Sequence, residues 1–103
     1  MLAEFEIVPI GSQSASVSAE LAKVAQLIDA SGLDYRVSPM GTVVEGNWDE
    51  VMQLAKQCHE AMLASADRVI TSIKIDDRKD KTGPRMQQKL DSLKASSGVN
   101  INC

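Results

Sequence analysis

Residues 39–50, PMGTVVEGNWDE, contain the signals that decide the fold. Proline and glycine on either side of Met40 favour a tight turn between two strands, and residues 42–46 have the Thr and Val content of a short strand. Asn47, followed three residues later by Glu50, resembles a capping box in which Asn replaces the usual Ser or Thr. The segment therefore predicts a turn, a strand and the start of a helix.

The N-terminal side of this segment changes from a period of two residues to a helical period. Residues 2–10 alternate and predict a strand. The face of this strand that suits a core carries Ala3, Phe5 and Ile7. A first helix ending near Ser31, before Gly32, is predicted by apolar residues at helical spacing, namely Val17, Leu21, Val24 and Ile28. Residues 34–39 predict the second strand, which forms a hairpin with residues 42–46.

The C-terminal side predicts two more helices and one more strand. The second helix is marked by apolar residues at helical spacing: Val51, Leu54, Ala55, Cys58 and Met62. Residues 68–76 return to alternation and predict the fourth strand, followed by a charged loop. Pro84, at a first helical position, opens a last helix that ends at Gly98. The apolar side of this helix is formed by Met86, Leu90 and Leu93.

The predicted order of elements is β-α-β-β-α-β followed by one further helix. Right-handed crossovers leave room for one intervening strand in each β-α-β unit, which is the split βαβ arrangement. The chain is therefore predicted to be an α+β ferredoxin-like sandwich: a four-stranded antiparallel sheet with both main helices on one face and an extra C-terminal helix. A length of 103 residues suits one such domain over residues 1–103.

Composition narrows the range of partners. The net charge is −3 at pH 7, and the one basic cluster, at residues 78–81, is interrupted and flanked by aspartates, so nucleic acid is not expected as a partner. No apolar run approaches the roughly 20 residues that cross a bilayer, so we expect no membrane partner and a cytoplasmic location. Cys58 and Cys103 are the only cysteines, at positions that predict neither a structural disulfide nor a metal site.

The sheet face turned away from the helices is predicted to be mixed in character. It would carry Glu4, Glu6, Ser72 and Lys74 beside Val8, Ile10 and Ile70. Such a surface is either solvated or paired with the sheet of another subunit. One Phe, one Tyr and one Trp leave a thin core, so we favour a homo-oligomer, in which the last helix could cover a sheet edge or a neighbouring subunit.

Few residues are arranged as a catalytic group would be. His59 is the only histidine and falls one position beyond the apolar side of the second helix, as a boundary histidine does. Residues 11–16, GSQSAS, lead into a helix N-terminus with Ser14 or Ser16 as its cap. The free N–H groups there suit an anion or a polar ligand edge, although a capped loop with spare hydroxyls explains the sequence equally. No catalytic residue is predicted.

Glu45 and Trp48 lie on either side of the predicted junction between strand and helix. A carboxylate and a flat aromatic ring that face one pocket would suit a cationic heteroaromatic ligand. The alternative is structural, with Trp48 as a lid over the core and Glu45 as a solvated charge at a strand end. The residues alone leave both interpretations open.

Several segments together resemble the small thiamine-binding protein family. They are VPIG at 8–11 leading into Ser14 and Ser16, Tyr35 before PMGT at 39–42, EGNWDEVM at 45–52, and RV at 68–69 with KIDDR at 74–78. The part from Met-Gly-Thr to Glu-Gly-x-Trp is the specific one, and the resemblance covers nearly the whole chain. It implies ferredoxin-like subunits that assemble as dimers of dimers, a homotetramer, and bind thiamine or its pyrimidine moiety without turnover.

The resemblance also implies a ligand site. Thiamine has a thiazolium cation and an aminopyrimidine, so its site needs a carboxylate, hydroxyl or backbone groups and a flat apolar wall. Glu45 would pair with the cation or accept from the aminopyrimidine, and Glu45→Gln would weaken binding by about 1.5–3 kcal/mol. Hydroxyl groups would add hydrogen bonds, and Met and Trp would form the walls. The implied ligand-binding residues are Ser14, Ser16, Met40, Thr42, Glu45 and Trp48; thiamine is the ligand, with no cofactor or metal.

Two other functions compete with ligand binding. In a structural or regulatory assembly module, Glu45 and Trp48 would only stabilise the hairpin and the helix start. A small-molecule enzyme is less expected, because no acid-base pair or metal cluster stands out, and the fold alone decides nothing. A phosphorylated ligand would need cations, which Arg78, Lys79 or Lys81 of a neighbouring subunit could supply.

Overall fold

The structure, a computed structural model, describes residues 1–11 and 18–102. Strands and helices follow one another in the predicted order. They are β1 (Leu2–Ile10), α1 (Ser18–Ala30), β2 (Asp34–Ser38), β3 (Gly41–Glu45), α2 (Trp48–Leu63), β4 (Arg68–Asp76) and α3 (Arg85–Ser97). The bounds of β1 and β4 agree with the prediction. β2 ends one residue earlier than predicted, before Pro39, which has no N–H to donate to a strand ladder.

The four strands form one sheet in the order β2-β3-β1-β4, and every neighbouring pair is antiparallel. β1 and β3 are central, and β2 and β4 are the edges. This order places each crossover helix over one intervening strand, so the predicted α+β ferredoxin-like fold with an extra C-terminal helix is confirmed.

The core lies between one sheet face and helices α1 and α2. All five predicted apolar positions of α2 are buried: Val51, Leu54, Ala55, Cys58 and Met62. They form one cluster with Ala3 and Phe5 of β1, Val44 of β3, and Val24 and Ile28 of α1. Each large aliphatic or aromatic side chain removed from water contributes about 1.5–3 kcal/mol, so this cluster fixes which sheet face meets the helices.

The start of α2 is capped as the sequence predicts. The Asn47 side chain accepts from the Glu50 N–H at 2.8 Å, and the Glu50 carboxylate accepts from the Asn47 N–H at 3.0 Å. These two reciprocal bonds satisfy donors that would otherwise lack a helical partner. They hold α2 at a fixed angle to β3, which ends only three residues before α2 begins.

Helix α3 begins at Arg85, one residue later than predicted, because Pro84 occupies the cap position. It ends at Gly98, whose φ of 70° lies in the left-handed region that glycine adopts freely. Of its predicted apolar side, Met86 is buried, whereas the side chain of Leu93 is 53% exposed. Only the first turns of α3 are therefore packed against the rest of the molecule.

The sheet face opposite the core, which we call the open face, carries the residues that the alternation assigned to it. The register pairs Glu4 with Lys74, Glu6 with Ser72 and Val8 with Ile70. Glu4 and Lys74 form an ion pair at 3.6 Å. Val8, Ile10 and Ile70 remain 37–44% exposed, so an apolar area lies beside the charged one.

Candidate functional site

A cavity of about 600 Å³ opens between β1, α1 and the tip of the β2–β3 hairpin. Its volume lies in the range of small-molecule sites in proteins. Its apolar wall is formed by residues of β1 and α1: Phe5, Ile7, Leu21, Val24 and Ile28. The small side chains of Ala22 and Ala25 leave room on the α1 side, and the hairpin residues 37–42 close the other side.

The cavity exists because β1 and β3 differ in length. The β1–β3 register ends at the pair Phe5 and Thr42, whereas the β1–β4 register continues to Ile10 and Arg68. Beyond Phe5, no described residue pairs with β1 on its β3 side, so the cavity occupies the space of the missing strand neighbour. Gly41 is needed at this corner, since a Cβ atom there would lie 2.9 Å from the Phe5 carbonyl oxygen.

The polar groups of the cavity are few. Ser38 and Thr42 carry hydroxyl groups, and Glu6 is the only charged residue among the described residues that line the cavity. The Ser38 hydroxyl already donates to the Gly41 carbonyl and accepts from the Met40 N–H. No lysine or arginine lines the cavity among those residues. The arrangement suits a flat, largely apolar ligand with a few hydrogen-bonding groups, and it is unfavourable for an anion.

Two of the predicted site residues line this cavity. Met40, at the hairpin tip, is 80% exposed, and its thioether can close over a ligand. Thr42 is half-buried and shares the core-side face of β3 with Val44. The hairpin turn therefore brings Met40 and Thr42 to one cavity, and their role in ligand binding stays a prediction.

Glu45 lies at the other end of β3 and on the other face of the sheet. Alternation along β3 turns Thr42 and Val44 toward the core and Glu45 toward the open face. The Glu45 carboxylate accepts from the N–H groups of Arg85 at 2.6 Å and Met86 at 2.8 Å. Its position is that of a cap for the N-terminus of α3, where a negative charge is favourable.

The remaining predicted site residues are not assembled around the cavity. Trp48 is the first residue of α2, is 58% exposed and lies outside both the core cluster and the cavity lining. It therefore does not form a lid over the core. Ser14 and Ser16 lie outside the described residues. The ligand role predicted for Glu45, Trp48 and these serines stays a prediction.

Other reactive groups in the described part of the chain are engaged or inert. His59 Nδ1 lies 2.7 Å from Thr71 Oγ1, which ties α2 to β4. Burial raises the pKa of the Cys58 thiol to about 11, so the thiol is neutral at physiological pH and a poor nucleophile. Residues 1–11 and 18–102 contain no group of three His, Cys, Asp or Glu side chains arranged to hold a metal ion. None of their helices is both long and apolar enough to cross a bilayer.

The predicted basic cluster borders a second, wider groove beside α3. Arg78, Lys81, Arg85 and Lys89 line it. Arg78 makes an ion pair with Asp80, and Lys89 makes one with Asp76, so both cations are already partly neutralised. The first cavity is thus the better candidate for a heteroaromatic ligand.

Sequence reasoning missed Glu6 and the α1 side of the cavity. The alternation placed Glu6 on the open face, but the local pattern does not show where β3 stops relative to β1. The small residues Ala22 and Ala25 lie between the predicted apolar positions of α1, and helical spacing alone does not indicate that they leave room for a cavity. A register between β1 and β3, counted outward from the hairpin turn, is the signal that could have found Glu6.

Comparison with known proteins agrees with this architecture. A family described as thiamine-binding protein matches residues 3–94. The UPF0045 protein MJ1052 of Methanocaldococcus jannaschii is 41% identical over 81 residues, which cover 79% of this chain and 80% of that protein. A UPF0045 protein of Methanothermobacter thermautotrophicus is 38% identical over 94 residues, covering 89% of this chain and 94% of the relative.

Solved structures extend the likeness to three dimensions. The crystal structure of MJ1052 superimposes with a TM-score of 0.81 at 38% identity, over 89% of this chain and 93% of that one. The Thermotoga maritima protein TM0486, whose provisional name relates it to thiamine biosynthesis or salvage, gives a TM-score of 0.75 over 89% of this chain and 96% of that one. Its identity is 21%, so this second likeness concerns the fold. With a family match across most of its length and relatives above 30% identity, the chain belongs to the thiamine-binding protein family.

Proposed function

We propose that the protein is a non-catalytic binding protein for thiamine or its aminopyrimidine moiety, and that the cavity between β1, α1 and the β2–β3 hairpin is the binding site. The observation that carries this proposal is the cavity itself, which has apolar walls and only three polar residues among its described lining: Glu6, Ser38 and Thr42. The family to which the chain belongs is described as thiamine-binding protein, and this description supports the choice of ligand.

The chemistry of the cavity fits such a ligand. A flat heteroaromatic ring can lie against Phe5 and Ile7, since Ala22 and Ala25 leave space on the opposite side. The amino group and ring nitrogens of an aminopyrimidine are a donor next to acceptors, and the Thr42 hydroxyl can bond to either kind of group. Among the described residues that line it, the cavity has neither an acid-base pair nor an activated nucleophile.

The other predicted ligand contacts are not among the described residues that line the cavity, and they would reach a ligand by other routes. Glu45 and Trp48 lie outside the cavity of their own protomer, so in a homo-oligomer they would reach a ligand only from a neighbouring subunit. Ser14 and Ser16 belong to the segment that connects β1 to α1, the two elements that border the cavity. Arg78, Lys79 and Lys81 remain candidates for the phosphates of a thiamine ester bound near a subunit boundary.

We also propose a homotetramer, a dimer of dimers, located in the cytoplasm. The exposed apolar residues of the open face and of α3 support assembly, because a chain of this size gains stability by covering them. Nucleic acid and membranes are not partners in this proposal.

Calorimetric titration of thiamine and its aminopyrimidine tests the function. The variant Ala25→Phe should abolish binding, because its aromatic ring on the α1 wall would fill the cavity. The matched control is Ala30→Phe, which makes the same exchange at the end of the same helix and outside the cavity. The control should bind like wild type, and binding at a hundredfold excess over Kd should stabilise it by about 2.7 kcal/mol.

The assembly module is the competing function, and the same titration separates it. If wild type shows neither binding heat nor thermal stabilisation with either compound, the binding proposal is wrong. The assembly module, which would act through the exposed faces, is then the favoured function. Equal binding by Ala25→Phe and wild type would move the site away from this cavity.

A further inference from the structure

Glu6 differs from Glu4 and Glu45 in having no partner among the described residues. Glu4, two residues earlier on the same strand and face, makes an ion pair with Lys74. Glu45 accepts two backbone N–H groups. Glu6 makes neither an ion pair nor a side-chain hydrogen bond to any described residue. It is exposed and lines the cavity from the free edge of β1, where its side chain shares the open face with Glu4.

The register explains why Glu6 has no partner. On one side of β1, the residue opposite Glu6 is Ser72, which carries no charge. On the other side, the β1–β3 register has already ended at Phe5. The cation nearest in register, Lys74, lies opposite Glu4. The Glu6 carboxylate is therefore left without a counter-charge beside the free edge of β1, which borders the cavity.

We propose that Glu6 is the residue by which this cavity selects a cationic ligand, serving as counter-ion to a quaternary ring nitrogen such as that of a thiazolium. This inference rests on the proposed function and assigns its charge selectivity to Glu6 instead of Glu45. Glu6 is exposed, so water screens its attraction for a cation, and the expected contribution is the modest one of a partly solvated ionic contact at the free edge of β1. The cavity has no lysine or arginine among its described lining residues to reverse that preference.

The inference distinguishes ligands by charge. Thiamine carries the cation, whereas its free aminopyrimidine is neutral at pH 8 and shares only the ring. Glu6 should therefore contribute to the affinity for thiamine and hardly to that for the aminopyrimidine. Thiamine diphosphate, with a net negative charge, should bind more weakly than thiamine to the wild-type cavity.

The test compares thiamine and the aminopyrimidine by calorimetry at pH 8 in wild type, Glu6→Gln and Glu4→Gln. Glu4→Gln is the matched control, because it removes the same charge from the same strand and face but from outside the cavity. We expect Glu6→Gln to weaken thiamine binding about fivefold to tenfold at low salt, the effect of one charge-assisted contact in partly solvated surroundings. Aminopyrimidine affinity should change less than about twofold in either variant.

Salt dependence gives a second readout. Raising the salt concentration should weaken thiamine binding to wild type, because salt screens the ionic contact. The affinity of Glu6→Gln for thiamine should depend much less on salt. Circular dichroism and light scattering on each variant show that fold and assembly are retained.

The outcomes separate this inference from the proposed function. If wild type binds thiamine and Glu6→Gln binds it equally well with the same salt dependence, the role of Glu6 is overturned and the binding function stands. If wild type binds only the neutral aminopyrimidine, cation selection is overturned. If wild type binds neither compound, both proposals fall.

Discussion

At the scale of single residues, Glu45 has two possible roles, one structural and one in ligand binding, and a single substitution can distinguish them. Its two bonds to backbone N–H groups make it the cap of α3. Glu45→Gln should lower the free energy of unfolding by about 1–2 kcal/mol, because the amide loses the negative charge and one of the two acceptor oxygens at a helix N-terminus. Urea denaturation measures this loss. Glu60→Gln, on the exposed side of α2, is the control and should change stability little.

The same variant tests the predicted ligand contact. With the cap as its main role, Glu45→Gln should keep its thiamine affinity within about twofold of wild type. A tenfold loss of affinity at unchanged stability would contradict the capping role and restore Glu45 to the ligand.

The contrast between Glu45 and Met40 shows what sequence can reveal at this scale. The position of Met40 at a hairpin tip is predictable because a turn is a local feature that Pro and Gly specify. The partner of Glu45 lies 40 residues away, at the start of α3. No local pattern predicts which carboxylate will meet that helix, so the sequence marks Glu45 as distinctive without identifying its partner.

At the scale of elements, α3 is held to the sheet by two carboxylates, Glu45 and Asp76. The Lys89 ammonium donates to the Asp76 carboxylate, and this hydrogen bond lowers the pKa of Asp76, with further help from the nearby charges of Arg85 and Arg78. A carboxyl group with a lowered pKa in the folded state stabilises it above the pKa of the unfolded chain. That stabilisation is lost as the pH falls through the folded-state value, so α3 should loosen below about pH 4.

Asp76→Asn isolates this contribution. Wild type should lose more stability than Asp76→Asn between pH 6 and pH 3 in urea denaturation, because the variant has already lost the ionisable group. Asp80, whose pKa the Arg78 guanidinium also lowers, titrates in both proteins and cancels in the comparison. Asp34→Asn, which removes an exposed ion pair with Arg36 on β2, is the control. Identical pH dependence in wild type and Asp76→Asn would contradict the proposed anchoring of α3.

The elements themselves were predictable because their signals are short-range. Alternation of apolar and polar residues predicts β1 and β4, and the spacing of apolar residues predicts α2. Each of these signals acts within about ten residues. The packing of α3 was not predictable in the same way. Its apolar spacing through Leu93 predicts an amphipathic helix, but the spacing does not say that only the end near Met86 meets the sheet.

At the scale of the whole molecule, the cavity is a consequence of strand lengths and not of any one motif. β1 has nine residues and β3 has five, and the unpaired part of β1 becomes one wall. Alternation predicts both strands, but it does not predict the point at which their pairing ends. The order of the strands follows from the handedness of the crossovers. The position of the cavity depends on the register between β1 and β3, which the sequence does not predict.

The shape of the protomer argues for assembly. Its radius of gyration is 15.2 Å, compared with about 13 Å for a compact domain of this length, and its extents are 46 × 30 × 21 Å. An elongated protomer with Val8, Ile10 and Ile70 exposed on one sheet face leaves apolar surface that a second copy of the same chain would cover. We therefore expect light scattering to give a mass above that of the monomer at micromolar concentration.

Ile70→Glu tests whether the open face carries this contact. A carboxylate on that face would be buried without a partner in an assembled pair, and such a charge is costly, so the variant should shift to a smaller species. Leu63→Glu is the matched control, since Leu63 is equally exposed but belongs to α2 on the helix side of the sheet. A change in mass with Leu63→Glu but not with Ile70→Glu would place the contact on the helices. A monomeric wild type would remove assembly from the proposed function and leave each cavity to act within a single chain.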